Sequence, residues 1–168
     1  VVSFLPDALL EKIEKTFSIS RGKGYNFSIK SEFKNFLKFD KKISVFVDVG
    51  ANRGIYTDQI LKNYPNAKGF IFEPDNTNYL FLKKKFKDTN VIVINKALSN
   101  ISGTRFLYSD KKSSGQSSLY NRRMSHLNTR FKKIQKVQII KMSNFFKKNI
   151  KTVVDFCKID IEGNELNC

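Results

Sequence analysis

A chain of 168 residues and 19.5 kDa can bury one real hydrophobic core but not two comfortable ones. Apolar residues at 40% and charged residues at 27% exclude a disordered or fibrous chain, and no apolar run approaches the roughly 20 residues that span a bilayer. The formal net charge of +16 admits two explanations: a polyanionic partner (nucleic acid, an anionic membrane surface or a glycan), or solvated faces on which exposed positions default to Lys. The charge is dispersed through Lys83-Lys84-Lys85, Lys111-Lys112, Arg122-Arg123 and Lys147-Lys148, with no arginine-rich block, and this favours the second. Two cysteines, Cys157 and Cys168, and a single histidine, His126, predict neither a disulfide framework nor a metal site, and suit a reducing, cytoplasmic compartment. Cys157 lies in an apolar run, where a thiol acts as a small hydrophobe. Val1 to Pro6 shows no leader pattern, and the missing Met predicts a start further upstream.

In chain order, Pro6 to Phe17 reads as an amphipathic helix carrying Leu9, Leu10, Ile13 and Phe17, and Ile29, Phe33, Phe36 and Leu37 form a second stripe. Residues 1–42 are therefore expected to form a helical extension ahead of a core at 43–168. Ile43 to Val49 predicts a strand covered on both faces. Gly50 to Gly54 is a turn, Ile55 to Asn63 a helix, and Lys68 to Phe72 a second buried strand closed by Glu73-Pro74. Thr77 to Phe86 predicts a helix with Leu80, Phe81 and Leu82 toward the core, and Asn90 to Leu98 a third strand. Thr104 to Tyr108 and Val137 to Ile140 are strand candidates on either side of a polar loop, Ser109 to Asn128. A short helix at Ser143 to Lys148 precedes a buried strand, Val153 to Ile161. Strands alternating with helices at this spacing predict an α/β fold with a mainly parallel, doubly wound sheet. Because the sheet would stop at its fourth core strand, the chain is expected to be incomplete at its C-terminus, short of roughly 60 to 90 residues of a full domain.

Three acids stand at strand ends: Asp48, Glu73 and Asp160. In open α/β sheets that rim binds ligands. Gly50 and Gly54 supply a tight turn leading into a helix N-terminus, whose N–H groups suit an anionic group. Asn52 stands where a dinucleotide fingerprint has its second glycine, which argues against close packing of a pyrophosphate. Glu73 follows Asp48 at about the spacing of an acid that binds ribose hydroxyls. An adenosine ligand without phosphates is S-adenosylmethionine.

Val47-Asp48-Val49-Gly50-Ala51-Asn52-Arg53-Gly54-Ile55-Tyr56-Thr57, Phe72-Glu73-Pro74-Asp75, Asn95-Lys96-Ala97-Leu98-Ser99 with Gly103, and Lys158-Ile159-Asp160-Ile161-Glu162-Gly163-Asn164-Glu165-Leu166 resemble the FkbM family of methyltransferases, in the same order over roughly residues 45 to 166. The resemblance implies a Rossmann-like class I methyltransferase fold, S-adenosylmethionine as donor, and O-methylation of a sugar, glycan or other small hydroxyl compound. It implies further that Asp48, Gly50, Ala51, Asn52 and Gly54 hold the donor's methionine end, Glu73 its ribose, and Asn95 to Ala97 its adenine. Ser117-Ser118-Leu119 is similar to a family element at the active-site mouth. Met142-Ser143-Asn144 departs from the family's Leu-Asp pair, although Ser143 can still cap a helix.

Methyl transfer to an alcohol needs an aligned hydroxyl and a group to take its proton. Asp160 is the first candidate and Glu162 the second; the rival reading has Asp160 anchoring the donor's amino group. Glu165 is expected to start the next helix. His126 reads as a surface-loop residue, and Tyr56 and Phe72 as packing groups. Alternative functions are an RNA methyltransferase, disfavoured by the lack of an Asn-Pro-Pro-Tyr or Asp-Pro-Pro-Tyr element, and a non-catalytic basic nucleic-acid-binding module.

Overall fold

The computed structural model describes residue 33 and residues 42–109, 117–121, 123–124, 129–130 and 132–168. The chain divides at Lys41/Lys42. Of the two helical stripes read within residues 1–42 only Phe33 is described, in helical conformation and buried; the rest lie outside the described residues, as does His126. In chain order the second unit contains β1 (Val45–Val49), α1 (Ile55–Asn63), β2 (Lys68–Phe72), α2 (Asn76–Lys85), β3 (Val91–Ile94), β4 (Ala97–Ser99), β5 (Gly103–Ser109), β6 (Arg123–Met124), β7 (Thr129–Arg130), β8 (Lys132–Lys141), α3 (Met142–Asn149) and β9 (Phe156–Ile159), followed by a 3-10 turn at Glu165–Asn167.

The principal sheet has the order β3-β2-β1-β9 and is parallel throughout. The chain runs outward from β1 through β2 to β3, then returns to the other side of β1. That reversal opens a crevice beyond the carboxyl ends of β1 and β9, the position at which open α/β sheets bind ligands. β1 is buried along its length. Val45, Val47 and Val49 join Phe70, Phe72 and Leu98 in one cluster, against which Phe145, Phe146 and Ile150 of α3 and its end pack. Phe145 meets Phe72 edge-to-face with ring centroids 4.9 Å apart. On the opposite face, Thr57 of α1 bonds Asp48, and Tyr56 stacks on Phe156 at 5.8 Å. Helices therefore cover both faces of β1, and each large apolar side chain buried there contributes roughly 2 kcal/mol.

The ends of the strands are set by particular bonds. The Asp155 carboxylate accepts the N–H groups of Ser44 and Val45, at 2.8 and 2.9 Å, and those two bonds hold its pKa below the usual carboxylate range. This clip starts β1 at Val45, two residues later than the β-branched run suggests. It also leaves Val153 exposed, so that β9 is much shorter than the predicted Val153 to Ile161. Cys157, expected to act as a buried hydrophobe, is exposed on that strand.

Three further corrections concern the rest of the chain. Asn90 to Leu98 is not one strand: β3 ends at Ile94, and β4 belongs to a second sheet, β4-β8-β5, in which β8 pairs in parallel with β4 and antiparallel with β5. The break falls at Asn95, whose side-chain amide donates to the carbonyls of Glu73 and Pro74 at 2.9 and 3.1 Å and so turns the chain across the end of β2. In α2, Leu82 is fully buried, but Leu80 and Phe81 face outward, and Phe81 lies under the Arg53 guanidinium at 4.9 Å. Ser143 does not cap α3: that helix begins at Met142, and Lys141 occupies the capping position without a side-chain bond.

Candidate active site

The crevice holds a cavity of about 550 Å³, walled by the ends of β1, β2 and β9, by Lys96 to Leu98, and by Ser117 to Leu119. Its floor is the turn after β1. The N–H groups of Gly50 and Ala51 both donate to the carbonyl of Phe72, at 3.0 and 3.1 Å, which pins the turn to the end of β2. Gly50 has φ +78°, and a Cβ there would lie 2.1 Å from the carbonyl oxygen of Asp160. Only glycine lets the turn pass so close to the end of β9. Asn52 adopts φ 49°, in the left-handed region that Asn tolerates better than most residues. Its N–H then donates to Glu73 Oε2 at 2.7 Å.

Glu73 is 5% exposed and lines the cavity. Its other oxygen accepts the N–H of Asp75 at 2.9 Å. Burial pushes its pKa up to about 7 against the opposing pull of these two backbone bonds; the nearby Asp75 and Asp48 carboxylates raise it further. Asp75 in turn caps α2 by accepting the N–H of Asn78 at 3.0 Å. Asn78 is 1% exposed, lines the cavity and donates from its amide to Asn52 Oδ1 at 3.2 Å; its own Oδ1 is buried with no hydrogen-bond partner.

Six of the residues singled out from the sequence wall the cavity: Gly50, Asn52, Glu73, Ala97, Asp160 and Glu162. Four stand behind it. Ala51 and Gly54 build the turn, and Asn95 is turned toward the carbonyls it bonds. Asp48 is completely buried; its Oδ2 accepts the Thr57 hydroxyl at 2.8 Å and its Oδ1 lies 3.4 Å from Lys158 Nζ. From there it fixes the turn from below. Replacing Thr57 by Val removes the donor to a buried carboxylate without changing the volume, and is expected to lower stability by about 2 kcal/mol in urea denaturation.

Lys158 is the residue that the sequence reading passed over. It is paired in register with Asp48 across β1 and β9, and its ammonium lies between Asp48 and Asp160 Oδ2 (3.6 Å) while donating to the carbonyl of Gly50 at 3.1 Å. The alternation of side chains along β9 carried the signal, since residues 158 and 160 share a face. Asp160 itself is 41% exposed and open to the cavity. Glu162 has φ 57°, and its carbonyl accepts the Ser118 hydroxyl at 2.8 Å. That bond ties the Ser117-Ser118-Leu119 segment over the cavity mouth. Glu165 bonds the N–H groups of Ile161 (3.0 Å) and Gly163 (2.9 Å), holding the loop after β9 in shape. Asn164 is buried, donates to the Leu98 carbonyl at 3.1 Å and accepts the Tyr120 hydroxyl at 3.1 Å. Asn78 gave no signal in the sequence because an isolated Asn reads first as a turn or cap residue, and Asn164 stood in the last motif without a role of its own.

Among the described residues no helix is long and apolar enough to cross a membrane. Residues 48–168 match the family model described as the Methyltransferase FkbM domain. No curated protein and no solved structure matches the chain. The family match begins at Asp48, under the turn that floors the cavity, and runs through every strand end that walls it; the chain belongs to the FkbM methyltransferases.

Proposed function

We propose that the chain uses S-adenosylmethionine to methylate a hydroxyl group of a sugar, glycan or other small acceptor. The observation that carries this reading is Glu73: a buried carboxylate at the end of β2, oriented by two backbone N–H groups and facing the cavity. Each of its oxygens keeps lone pairs for the two adjacent hydroxyls of a ribose. The orphaned Oδ1 of Asn78 on the same wall asks for a donor, which a hydroxyl or amino group of the ligand supplies. Gly50, Asn52 and the residues around them hold the donor's amino-acid end, and Lys96 and Ala97 border its base.

Bound there, S-adenosylmethionine supplies an electrophilic methyl group on a cationic sulfur. The cavity wall complements that charge with Glu73, Asp160 and Glu162. Asp160, tethered by Lys158 and open to the cavity, orients the acceptor hydroxyl and takes its proton. Glu162 is the second candidate, with its backbone fixed by Ser118. The net charge of +16 is compatible with an RNA acceptor, but it is dispersed, and the acids Glu73, Asp160 and Glu162 around the cavity repel a phosphate backbone, which supports a small acceptor. Titration calorimetry with S-adenosylhomocysteine is expected to give a Kd on the order of 10 μM. No heat at ~1 mM ligand would overturn the reading.

A further inference from the structure

A second cavity of about 350 Å³ adjoins the first and shares Leu119 and Asn164 with it as a common wall. Its chemistry is of the opposite sign. Among the described residues no carboxylate lines it; its charged group there is Arg105 of β5, accompanied by Ser99, Asn100 and the Tyr120 ring. Arg105 makes no hydrogen bond or ion pair among the described residues, although its five N–H donors form a fixed fork suited to carboxylate or phosphate. Asn164, buried in the shared wall, is held from both sides by Leu98 and Tyr120, so the partition between the two cavities is rigid.

We propose that this cavity is the acceptor subsite, and that the acceptor is a hydroxylated small molecule bearing a carboxylate or phosphate, which Arg105 holds while a hydroxyl reaches Asp160 past Leu119. The proposal rests on the methyltransfer reading of the first cavity. It separates charges in the way the reaction requires: a cationic donor against the acidic wall, an anionic acceptor against the guanidinium. Arg105, exposed at the rim of the cavity, acts as a specificity-determining residue, since a neutral sugar of the same size offers the guanidinium no charge partner.

The test uses the whole chain with S-adenosylhomocysteine and, in separate titrations, glucuronate, glucose 6-phosphate and glucose at fixed ionic strength. At least one of the two anions is expected to bind with a Kd of ~1 mM or tighter, and glucose at least tenfold more weakly. The anion that binds identifies carboxylate or phosphate as the recognised group. Arg105→Ala is expected to weaken that anion at least tenfold, Arg105→Lys less, and both to leave S-adenosylhomocysteine affinity unchanged. Lys62→Ala, an exposed change on α1, controls for general attraction to a basic chain and is expected to change nothing. Equal binding of glucose and the anions, no binding of either anion, or unchanged anion binding in Arg105→Ala would each overturn the subsite. Arg105-dependent anion binding without S-adenosylhomocysteine binding would instead sink the donor reading and leave an anion site.

Discussion

Replacing Glu73 by Gln is expected to weaken S-adenosylhomocysteine binding by about a hundredfold, the cost of losing two charge-assisted hydrogen bonds to ribose hydroxyls. The substitution preserves shape, but an amide offers one acceptor oxygen where the native group offers two. Its NH2 would face the N–H of either Asn52 or Asp75, both of which now donate to the carboxylate. The pH dependence distinguishes this account from simple loss of packing. With the free protein's Glu73 titrating at about 7, and only the carboxylate competent to accept both hydroxyls, affinity should fall about tenfold from pH 8 to pH 6. Glu73→Gln should abolish that dependence. Folding responds in the opposite sense: a pKa raised from 4.5 to about 7 favours the protonated form in the folded chain, so Glu73 costs stability as pH rises through that window, by up to about 3 kcal/mol. A wild-type affinity that does not vary between pH 6 and 8 would overturn this role for Glu73.

Gly50→Ala is expected to destabilise the chain by about 4 kcal/mol, whereas Gly163→Ala should cost about 1 kcal/mol. Both glycines have positive φ, at 78° and 102°, so both substitutions strain the backbone. They differ in what a new methyl group meets. At Gly163 nothing lies within 4 Å, but at Gly50 the methyl meets the Asp160 carbonyl at 2.1 Å, and backbone cannot swing aside as a flexible side chain can. Relief requires the end of β9 to move away from β1, which also breaks the hold of Lys158 on the Gly50 carbonyl. Urea denaturation of the two variants measures the difference directly, and equal midpoints would contradict the close approach.

Most of the candidate site's cavity wall was legible because its residues stand at strand ends, where periodicity and turn chemistry coincide. α1 and β2 have the predicted bounds, and the turn from Gly50 to Gly54 follows from its glycines. The sequence misled where a side chain, acting at a distance, overrides local pattern. Asn95 looks like one residue of a continuous apolar strand, yet two carbonyls from the end of β2 turn it out of the sheet. In α2 the consecutive run from Tyr79 to Leu82 gives no clear face, and the packing of Leu82 beneath Gly54 decides which of them turns inward. Asp48 drew a ligand role because acids at strand ends so often have one; its burial beneath Thr57 and Lys158 also makes it a brace for the turn, which strand periodicity alone does not reveal. The second sheet could not be foreseen, since β4 and β8 are brought together by the path of the chain and not by a local signal.

The clip from Asp155 to Val45 joins residues 110 positions apart, and this separation governs the order of assembly. Bringing β9 to β1 closes a loop nearly five times longer than the one between β1 and β2, at an added entropic cost of about 1.4 kcal/mol. The half of the sheet made from β1, β2 and β3 is thus expected to form first, from nearby partners, carrying Glu73 and the turn with it, with β9 docking later, an order that φ-value measurements on β3 and β9 would check. Asp160 and Glu162 arrive with that strand. The wall that carries Glu73 is expected to form early and the wall that carries Asp160 and Glu162 late, so a local opening that frees β9 should remove the second wall while leaving the first in place, a difference that hydrogen exchange would read.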